Sequence, residues 1–243
     1  MIYIIGTGPG LEEYMSLRAI DAINDSDIII GYKTYIDQIK NLVKNKEIYS
    51  AGMKREIDRC TKALEYALEG KKVGLVSGGD AGVYGMAGIM YEIALEHLDK
   101  ISIEVIPGIT AANAAASSLG APIMHDYAVI SLSDLLTEWS LIEKRLNCAG
   151  QGDFVVTLYN PKSHGRKEHI EKARDILLKY KEKNTPVGIV RNAKREKEEM
   201  EITTLEKMCD SEINMSTMVI IGNSKTYVAE GKIITPRGYR YWY

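Results

Sequence analysis

The chain opens with a short apolar run that ends in a glycine cluster, Gly6-Thr7-Gly8-Pro9-Gly10. A glycine turn between a first strand and a helix often binds a phosphate through backbone amides. Here Pro9 has no amide hydrogen to donate, and Glu12 and Glu13 place negative charge beside the turn. The residue types therefore disfavour a nucleotide phosphate. They leave a tight turn without a ligand, or close approach by a ligand that is not a phosphate.

Two later stretches could also carry chemistry. In "VSGGDAGVYG" (76–85), Gly78 and Gly79 expose backbone groups, and Asp80 adds a carboxylate. That carboxylate could accept from ribose hydroxyls or an ammonium group, or it could cap the following helix. In "VIPGITAANAAASS" (105–118), Thr110 and Ala111 begin a helix of small residues, which would present a hydroxyl and free amides or only permit close packing.

Two polar loops lie further along the chain. The stretch "TLYNPKSHGR" (157–166) ends a strand in aromatic, polar and basic groups, and "GIVRNAKRE" (188–196) clusters Arg191, Lys194 and Arg195. The five loops together offer amides, hydroxyls and one carboxylate to one ligand and cations to another. This combination favours a zwitterionic nucleoside together with a substrate that bears carboxylates.

The elements that must position these loops alternate between strand and helix in the first half of the chain. Ser16 is a predicted helix N-cap and Gly70 a predicted helix stop. The alternation predicts a doubly wound α/β domain with a mostly parallel sheet, whose ligands bind at the carboxyl ends of the strands. The predicted strands are 2–6, 27–32, 72–78 and 101–108, and the predicted helices are 16–25, 56–70 and 85–98.

In the second half of the chain, different glycine and proline positions interrupt the pattern of strands and helices. Gly120 and Pro122 interrupt the pattern, which predicts an N-terminal domain over 1–120 and a C-terminal domain over 121–243. Strands at 153–161, 186–193, 200–208 and 217–224 with one helix at 166–183 predict a mixed, partly antiparallel sheet. The run of basic and acidic residues at 191–201 predicts a solvated hairpin or loop tip.

Composition narrows the class of protein. The 243 residues are 45% hydrophobic and 26% charged, which is typical of a soluble globular protein, and the net charge of −2 argues against broad nucleic-acid binding. No apolar run reaches the ~18 residues of a membrane span, and no secretory signal opens the chain, so we expect a cytoplasmic protein. Cys60, Cys148 and Cys209 are widely spaced and predict no metal site or disulfide framework.

In order, the motifs "IYIIGTGPG", "VSGGDAGVYG", "VIPGITAANAAAS", "YNP" and "TPVGIVRNAKR" resemble the landmarks of the tetrapyrrole methylases over essentially the whole chain. The stretch 125–146, followed by "GDFVVTLYNPKSHGR", resembles the branch that methylates carbon 17 of precorrin-3B or cobalt-factor III in cobalamin biosynthesis and contracts the macrocycle. Siblings that methylate carbon 11 or 20 are the nearest alternatives, followed by the diphthine synthases.

The resemblance implies two α/β domains, usually in a homodimer, with S-adenosyl-L-methionine as methyl donor between them and a tetrapyrrole in a trough beside it. The family motifs imply the following donor-binding residues: Pro9, Gly78, Gly79, Asp80, Val83, Thr110, Ala111, Tyr159, Asn160 and Ala193. The acetate and propionate arms of the substrate need cations, for which the basic clusters supply the candidates Lys54, Arg55, Arg191, Lys194 and Arg195.

Methyl transfer from a sulfonium needs no nucleophilic side chain, because the electron-rich macrocycle supplies the attacking carbon. The sequence identifies no catalytic residue. For the proton transfers of ring contraction the candidates are Tyr32, Lys33, His125, Asp126 and His164.

Two alternatives come from other classes. A nicotinamide-dependent reductase would need phosphates at the first glycine turn, which Pro9, Glu12 and Glu13 disfavour. A non-catalytic nucleoside-sensing module would bind the donor without turnover and would not need the basic cluster at 191–195.

Overall fold

The structure is a computed structural model that describes residues 1–52, 55–163 and 165–239. The chain divides into two compact units, Met1–Ala111 and Ala112–Tyr243. This division lies before the small-residue helix, whereas the sequence places the domain boundary after it, at residue 120. Each unit is described by itself.

The first unit is built on a five-stranded sheet in which every strand pair is parallel. The strand order is β3-β2-β4-β1-β5, which confirms the predicted α/β class. The strands are β1 (Ile2–Gly6), β2 (Ile28–Tyr32), β3 (Glu47–Ala51), β4 (Val73–Ser77) and β5 (Ile103–Ile106). The sequence did not predict β3, because this edge strand is largely exposed and lacks the apolar run of a buried one.

Helices cover both faces of this sheet. The Ser16 hydroxyl accepts from the Ala19 amide at 3.1 Å, which confirms the predicted N-cap. Gly70 follows the third helix with φ of 91°, a conformation that favours glycine after a helix end. The helices are α1 (Leu17–Asp25), α2 (Lys33–Gln38), α3 (Glu56–Leu68) and α4 (Ala87–Ala94), and short 3₁₀ turns occupy Glu12–Tyr14 and Leu95–His97.

Successive side chains of each strand point to opposite faces of the sheet, so the core of the first unit forms two layers. Ile4 and Ile30 pack with Cys60, Met90 and other residues of α3 and α4 on one face. The neighbouring strand positions, including Ile5 and Ile29, pack on α1 and α2 on the other face. Because both faces are covered, β1, β2 and β4 are nearly continuous apolar runs, and this is the signal that the sequence displays.

The second unit contains a mixed five-stranded sheet of order β10-β9-β11-β8-β7, as predicted. Strands β7 and β8 are parallel, and the other pairs are antiparallel. The strands are β6 (Gly120–Ala121), β7 (Tyr127–Ser131), β8 (Val155–Tyr159), β9 (Pro186–Arg191), β10 (Glu199–Thr204), β11 (Thr217–Ile221), β12 (Tyr227–Ala229) and β13 (Lys232–Ile234). Strands β12, β13 and β6 form a separate three-stranded sheet.

Three further helices complete the chain: α5 (Ala111–Leu119), α6 (Trp139–Gln151) and α7 (His169–Leu177). Helix α7 is shorter than the predicted helix at 166–183, and the sequence did not predict α6. Strands β9 and β10 form a hairpin whose loop, 192–198, lies in the predicted charged loop tip. Among the described residues, no helix has the length and apolar character required to cross a membrane.

Candidate functional site

The first two glycine loops are joined by their backbones. The Gly8 amide donates to the Gly79 carbonyl at 3.0 Å, and the Gly79 amide donates to the Gly8 carbonyl at 2.8 Å. The Thr7 amide and hydroxyl also donate to the Ser77 carbonyl, at 2.9 and 3.2 Å. Parallel pairing of β1 with β4 places these loops at one sheet edge, and the four bonds fix their relative positions.

The third loop packs directly on the other two at glycine positions. A Cβ atom at Gly108 would lie 2.2 Å from the Gly79 carbonyl oxygen, and one at Gly6 would lie 2.7 Å from the Gly108 amide nitrogen. Side chains cannot be accommodated there without backbone movement. The glycines therefore allow three strand ends to approach one another.

Asp80 lies between the second and third loops and is partly buried. One carboxylate oxygen accepts from the Gly82 amide at 2.8 Å, and the other accepts from the Gly108 amide at 2.9 Å. The helix-cap prediction for Asp80 is wrong, because α4 begins after Met86 and the Asp80 carboxylate joins two loops instead. A ligand would use the remaining acceptor capacity of the same two oxygens.

The space above Gly79 is suitable for a ligand. Gly79 has φ of 69°, and a Cβ there would lie 3.8 Å from its nearest neighbours, the Ala111 nitrogen and the Thr110 Cα. An added carbon atom would therefore fit there without a clash. We call this space, bounded by Gly79, Thr110 and Ala111, the cradle. Gly79, Thr110 and Ala111 lie together here, and their role in donor binding stays a prediction.

Helix α2 supplies neighbours that the sequence analysis missed. A Cβ at Gly78 would lie 2.4 Å from Cε1 of Tyr35, and one at Gly10 would lie 3.0 Å from the Gln38 amide group. The Tyr35 ring also meets Tyr32 edge to face at 5.5 Å. No local signal identifies Tyr35 or Gln38, because their contacts with the glycine loops depend on the packing of α2. Pro9 is buried and Val83 partly buried in the same loops.

In the second unit, Tyr159 and Asn160 end β8 as predicted. The Tyr159 hydroxyl accepts from the Ala112 amide in the first turn of α5 at 3.0 Å. Asn160 has φ of 51° and donates from Nδ2 to the Ser131 hydroxyl at 2.9 Å, which joins the ends of β8 and β7. Ala193 lies partly buried in the β9–β10 loop. The role of these residues in donor binding stays a prediction.

The predicted substrate cations have partners within the protein. Arg191 forms ion pairs with Glu199 and, at 3.1 Å, with Glu212, and only 19% of its side chain is exposed. A substrate carboxylate would therefore compete with two carboxylates already in place.

The other cations lie on exposed or partly buried loops. Arg55 pairs with Asp58. The Lys194 amide donates to Glu198 at 2.8 Å, and Arg195 is partly buried in the same loop. Lys54 lies outside the described residues.

The proton-transfer candidates are dispersed. Tyr32 ends β2 and Lys33 begins α2 at the sheet edge that carries the glycine loops, and Lys33 pairs with Asp37 at 2.8 Å. His125 and Asp126 precede β7, so they lie at the opposite end of their sheet from Tyr159. His164 lies outside the described residues.

An aspartate–histidine pair that the sequence analysis missed follows the ends of β7 and β8. His169 Nε2 lies 2.9 Å from Asp134 Oδ2, and its ring meets Trp139 edge to face at 4.7 Å. The hydrogen bond from His169 lowers the pKa of the Asp134 carboxyl below its usual value. Asp134 is therefore ionised near neutral pH, and Nε2 carries the shared proton.

Comparison with known proteins identifies the family. The family model for tetrapyrrole (corrin/porphyrin) methylases matches residues 1–209. The chain belongs to this family. The expected methyltransferase class, with S-adenosyl-L-methionine as methyl donor, is thereby confirmed at the level of the family.

Curated relatives share sequence with this tetrapyrrole methylase over nearly its full length. It is 51% identical to a cobalt-factor III methyltransferase from Priestia megaterium, with 98% of this chain and 45% of that protein covered. It is 48% identical to a probable cobalt-factor III C(17)-methyltransferase from Salmonella typhimurium, with 98% and 99% covered. A precorrin-3B C(17)-methyltransferase from a Sinorhizobium species is 34% identical, with 98% and 96% covered.

Solved structures agree on the fold of this tetrapyrrole methylase. The crystal structure of the methyltransferase CobJ matches with a TM-score of 0.90 and 32% identity, with 97% of this chain and 99% of that chain covered. A uroporphyrin-III C-methyltransferase from Thermus thermophilus, complexed with S-adenosylhomocysteine, matches with a TM-score of 0.70 and 22% identity over 91% and 96%. At that identity the second match shows the fold alone.

Proposed function

We propose that the protein transfers a methyl group from S-adenosyl-L-methionine to C-17 of cobalt-factor III during cobalamin biosynthesis. The observation that carries this proposal is the 48% identity with the Salmonella protein over 98% of this chain and 99% of that one. The chain spans about half the length of the Priestia relative.

Sequence identity to the relatives favours cobalt-factor III, which contains a metal, over the metal-free precorrin-3B. Relatives named for cobalt-factor III are 46–51% identical to this chain, whereas the relative named for precorrin-3B is 34% identical. Precorrin-3B is therefore the second candidate, favoured by the 34% identity with the Sinorhizobium relative. The branch that the sequence resembles also contracts the macrocycle, and we include that step in the proposal.

Within the first unit, the bonded glycine loops are proposed to position the methyl donor. Methyl transfer is an in-line displacement in which the acceptor carbon bonds to the methyl carbon and the sulfur keeps the electron pair. The rate depends on alignment and on the exclusion of water. Loops already fixed by the Gly8–Gly79 and Asp80–Gly108 bonds do not have to be ordered when the donor binds, which supports this role.

Further features of the protein are also proposed. We expect a cytoplasmic homodimer, as the family resemblance implies. Exposed apolar side chains such as Leu136, 93% exposed, and Leu135, 61% exposed, are candidates for burial in a subunit contact. Light scattering coupled to size-exclusion chromatography tests this: a monomeric mass would contradict it.

The proposed activity is tested by anaerobic incubation with S-adenosyl-L-methionine and cobalt-factor III, followed by mass spectrometry. A singly methylated product with the methyl group at C-17, together with released S-adenosylhomocysteine, would support the proposal. A parallel incubation with precorrin-3B compares the two substrates. Methylation at C-11 or C-20 would identify a sibling specificity, and donor binding without turnover on either substrate would favour a nucleoside-sensing module.

A further inference from the structure

Three charged side chains meet beyond the ends of β7 and β8 in the second unit. Asp134 follows β7, while Arg166 and His169 follow β8, and Arg166 lies close enough to Asp134 to lower its pKa further. The Ser163 amide donates to the Arg166 carbonyl at 3.2 Å, and the Arg166 amide donates to the Ser163 carbonyl at 3.1 Å. The backbone that carries Arg166 is therefore fixed before α7 begins.

Two nitrogen atoms of this cluster are buried and have no hydrogen-bond partner among the residues that the structure describes. They are Arg166 Nε and His169 Nδ1. Arg166 is otherwise engaged only weakly, through its Nη2 and the Met215 sulfur at 3.6 Å. A buried polar atom without a partner is costly, and its presence calls for a ligand or an ordered solvent molecule.

The hydrogen-bonding chemistry of the two nitrogen atoms indicates which class of ligand they could bind. Arg166 Nε always carries a hydrogen, and His169 Nδ1 carries one when the imidazole is protonated. The ionised Asp134 carboxylate holds the Nε2 proton, so a proton on Nδ1 makes the ring a cation. When the imidazole is protonated, the pair therefore offers two N–H donors and two positive charges beside the one Asp134 carboxylate, and that form suits an anionic acceptor.

The burial of the cluster limits the size of that acceptor. Only 14% of the His169 side chain is exposed, and the Trp139 ring covers part of it. Because both nitrogens are buried, their acceptor has to be small, and a single carboxylate on a flexible arm is of that size. The other charged groups nearby are Lys172, whose Nζ lies over Trp139 at 5.8 Å, and Glu168, which pairs with Lys172 at 3.6 Å.

We propose that Arg166 and His169 form a binding site for one carboxylate arm of the tetrapyrrole substrate, and that Asp134 positions the His169 ring for it. The assignment of the carboxylate to the tetrapyrrole rests on the proposed function. The carboxylate site itself rests only on the geometry of the cluster. This site differs from that of Arg191, because Arg166 Nε and His169 Nδ1 have no partner among the described residues, whereas the Arg191 guanidinium pairs with two carboxylates.

The first experiment tests the site without the natural substrate. In a Trp242→Phe background, Trp139 is the remaining tryptophan of the two in the chain, and its emission reports on the adjacent His169 ring. Propionate is titrated as the probe. A bound carboxylate favours the imidazolium form, which quenches a neighbouring indole, so we expect a saturable fall in emission. The fall should be absent in Arg166→Gln and retained in Lys172→Gln, the matched control, which lies on α7 beside Trp139.

The second experiment tests the assignment to the tetrapyrrole. Calorimetry measures the Kd of cobalt-factor III for wild type, Arg166→Gln, His169→Gln and Lys172→Gln. Loss of a charge-assisted bond should raise the Kd about tenfold in the first two variants and leave Lys172→Gln unchanged. The Kd of S-adenosylhomocysteine should be the same in all four proteins, which excludes a folding defect.

The outcomes separate the two proposals. If propionate does not change Trp139 emission in the wild type, the carboxylate site is wrong. If propionate binds as expected but cobalt-factor III does not bind the wild type, the site stands and the proposed function fails. If cobalt-factor III binds the Arg166→Gln and His169→Gln variants as tightly as the wild type, the assignment to a substrate arm is wrong.

Discussion

Gly8 and Gly79 exchange both of their backbone hydrogen bonds, at 3.0 and 2.8 Å, although one follows β1 and the other follows β4. This pairing extends the parallel β1–β4 ladder into the loops as an isolated antiparallel bridge. The proposed donor cradle is therefore part of the backbone hydrogen-bond network of the sheet. Substitutions that separate the loops should act on donor binding even where no side chain is lost.

Gly108→Ala should separate the third loop from the second. The added Cβ would lie 2.2 Å from the Gly79 carbonyl oxygen, so the backbone has to move. We expect the Kd of S-adenosylhomocysteine, measured by calorimetry, to rise more than tenfold. The matched control is Gly88→Ala in α4, where a Cβ meets nothing within 4 Å. That variant should keep donor affinity and gain about 0.5–1 kcal/mol of helix stability. Equal donor affinity in both variants would contradict the cradle.

Asp80→Ala should weaken donor binding by more than tenfold. The substitution removes both acceptors of the Gly82 and Gly108 amides, and it also removes any hydrogen bond from Asp80 to the ligand. Asp80→Asn keeps one oxygen and should give an intermediate Kd in the same calorimetric titration. Asp99→Ala, in an exposed turn, is the control. An unchanged Kd in Asp80→Ala would show that Asp80 neither positions the loops for the donor nor bonds to the donor itself.

Arg191→Ala distinguishes substrate binding from a structural role. If Arg191 binds a substrate arm, the tetrapyrrole KM rises and the donor Kd stays constant. Glu212→Gln weakens one internal ion pair of Arg191 while the guanidinium stays in place. We therefore expect Glu212→Gln to lower the KM or leave it unchanged. If Arg191→Ala loses donor binding and substrate binding together, Arg191 stabilises the β9–β10 hairpin instead.

Asp153→Ala should destabilise the second unit more than Lys181→Met does. The Lys181 side chain is 1% exposed, and its ammonium contacts Asp153 at 3.3 Å and the Phe154 carbonyl at 2.8 Å. Removing Asp153 leaves a buried cation without a counter-charge, at a cost of about 3 kcal/mol. Asp153 is 44% exposed and also accepts from Ser224, so it tolerates the loss of Lys181 better. Urea unfolding measures the stability of both variants. The control is the exposed ion pair Lys183–Glu206, where Glu206→Ala should produce no measurable change in stability.

The same pair predicts a pH dependence of stability. Burial opposes ionisation of Asp153, but the Ser224 hydroxyl and amide and the Lys181 ammonium outweigh it and lower the pKa of the carboxyl. Because the folded pKa lies below the unfolded value of about 3.9, this stabilisation is complete above about pH 4. It is lost as pH falls through the folded pKa. The stability difference between wild type and Asp153→Asn should therefore narrow from pH 5 towards about pH 2 in urea titrations, and a difference that widens would contradict the assignment.

The sequence by itself determined the elements whose signals are local. The continuous apolar runs of β1, β2 and β4 predict strands buried on both faces, and Ser16 and Gly70 mark helix ends through bonds and dihedral angles within a few residues. The ordered glycine motifs also identified the family, and two of their glycines, Gly6 and Gly108, stand at strand ends where a side chain does not fit.

Only the tertiary structure decided which groups meet. The partners of Asp80, Arg191 and His169 lie in other loops, and no period or cap in the sequence encodes such distant pairs. The exposed edge strand β3 lacks an apolar run, so its place in the sheet is set by pairing with β2. Local sequence fixes which backbone segments form, whereas long-range packing fixes whether a charged side chain is left for a ligand or is satisfied within the protein.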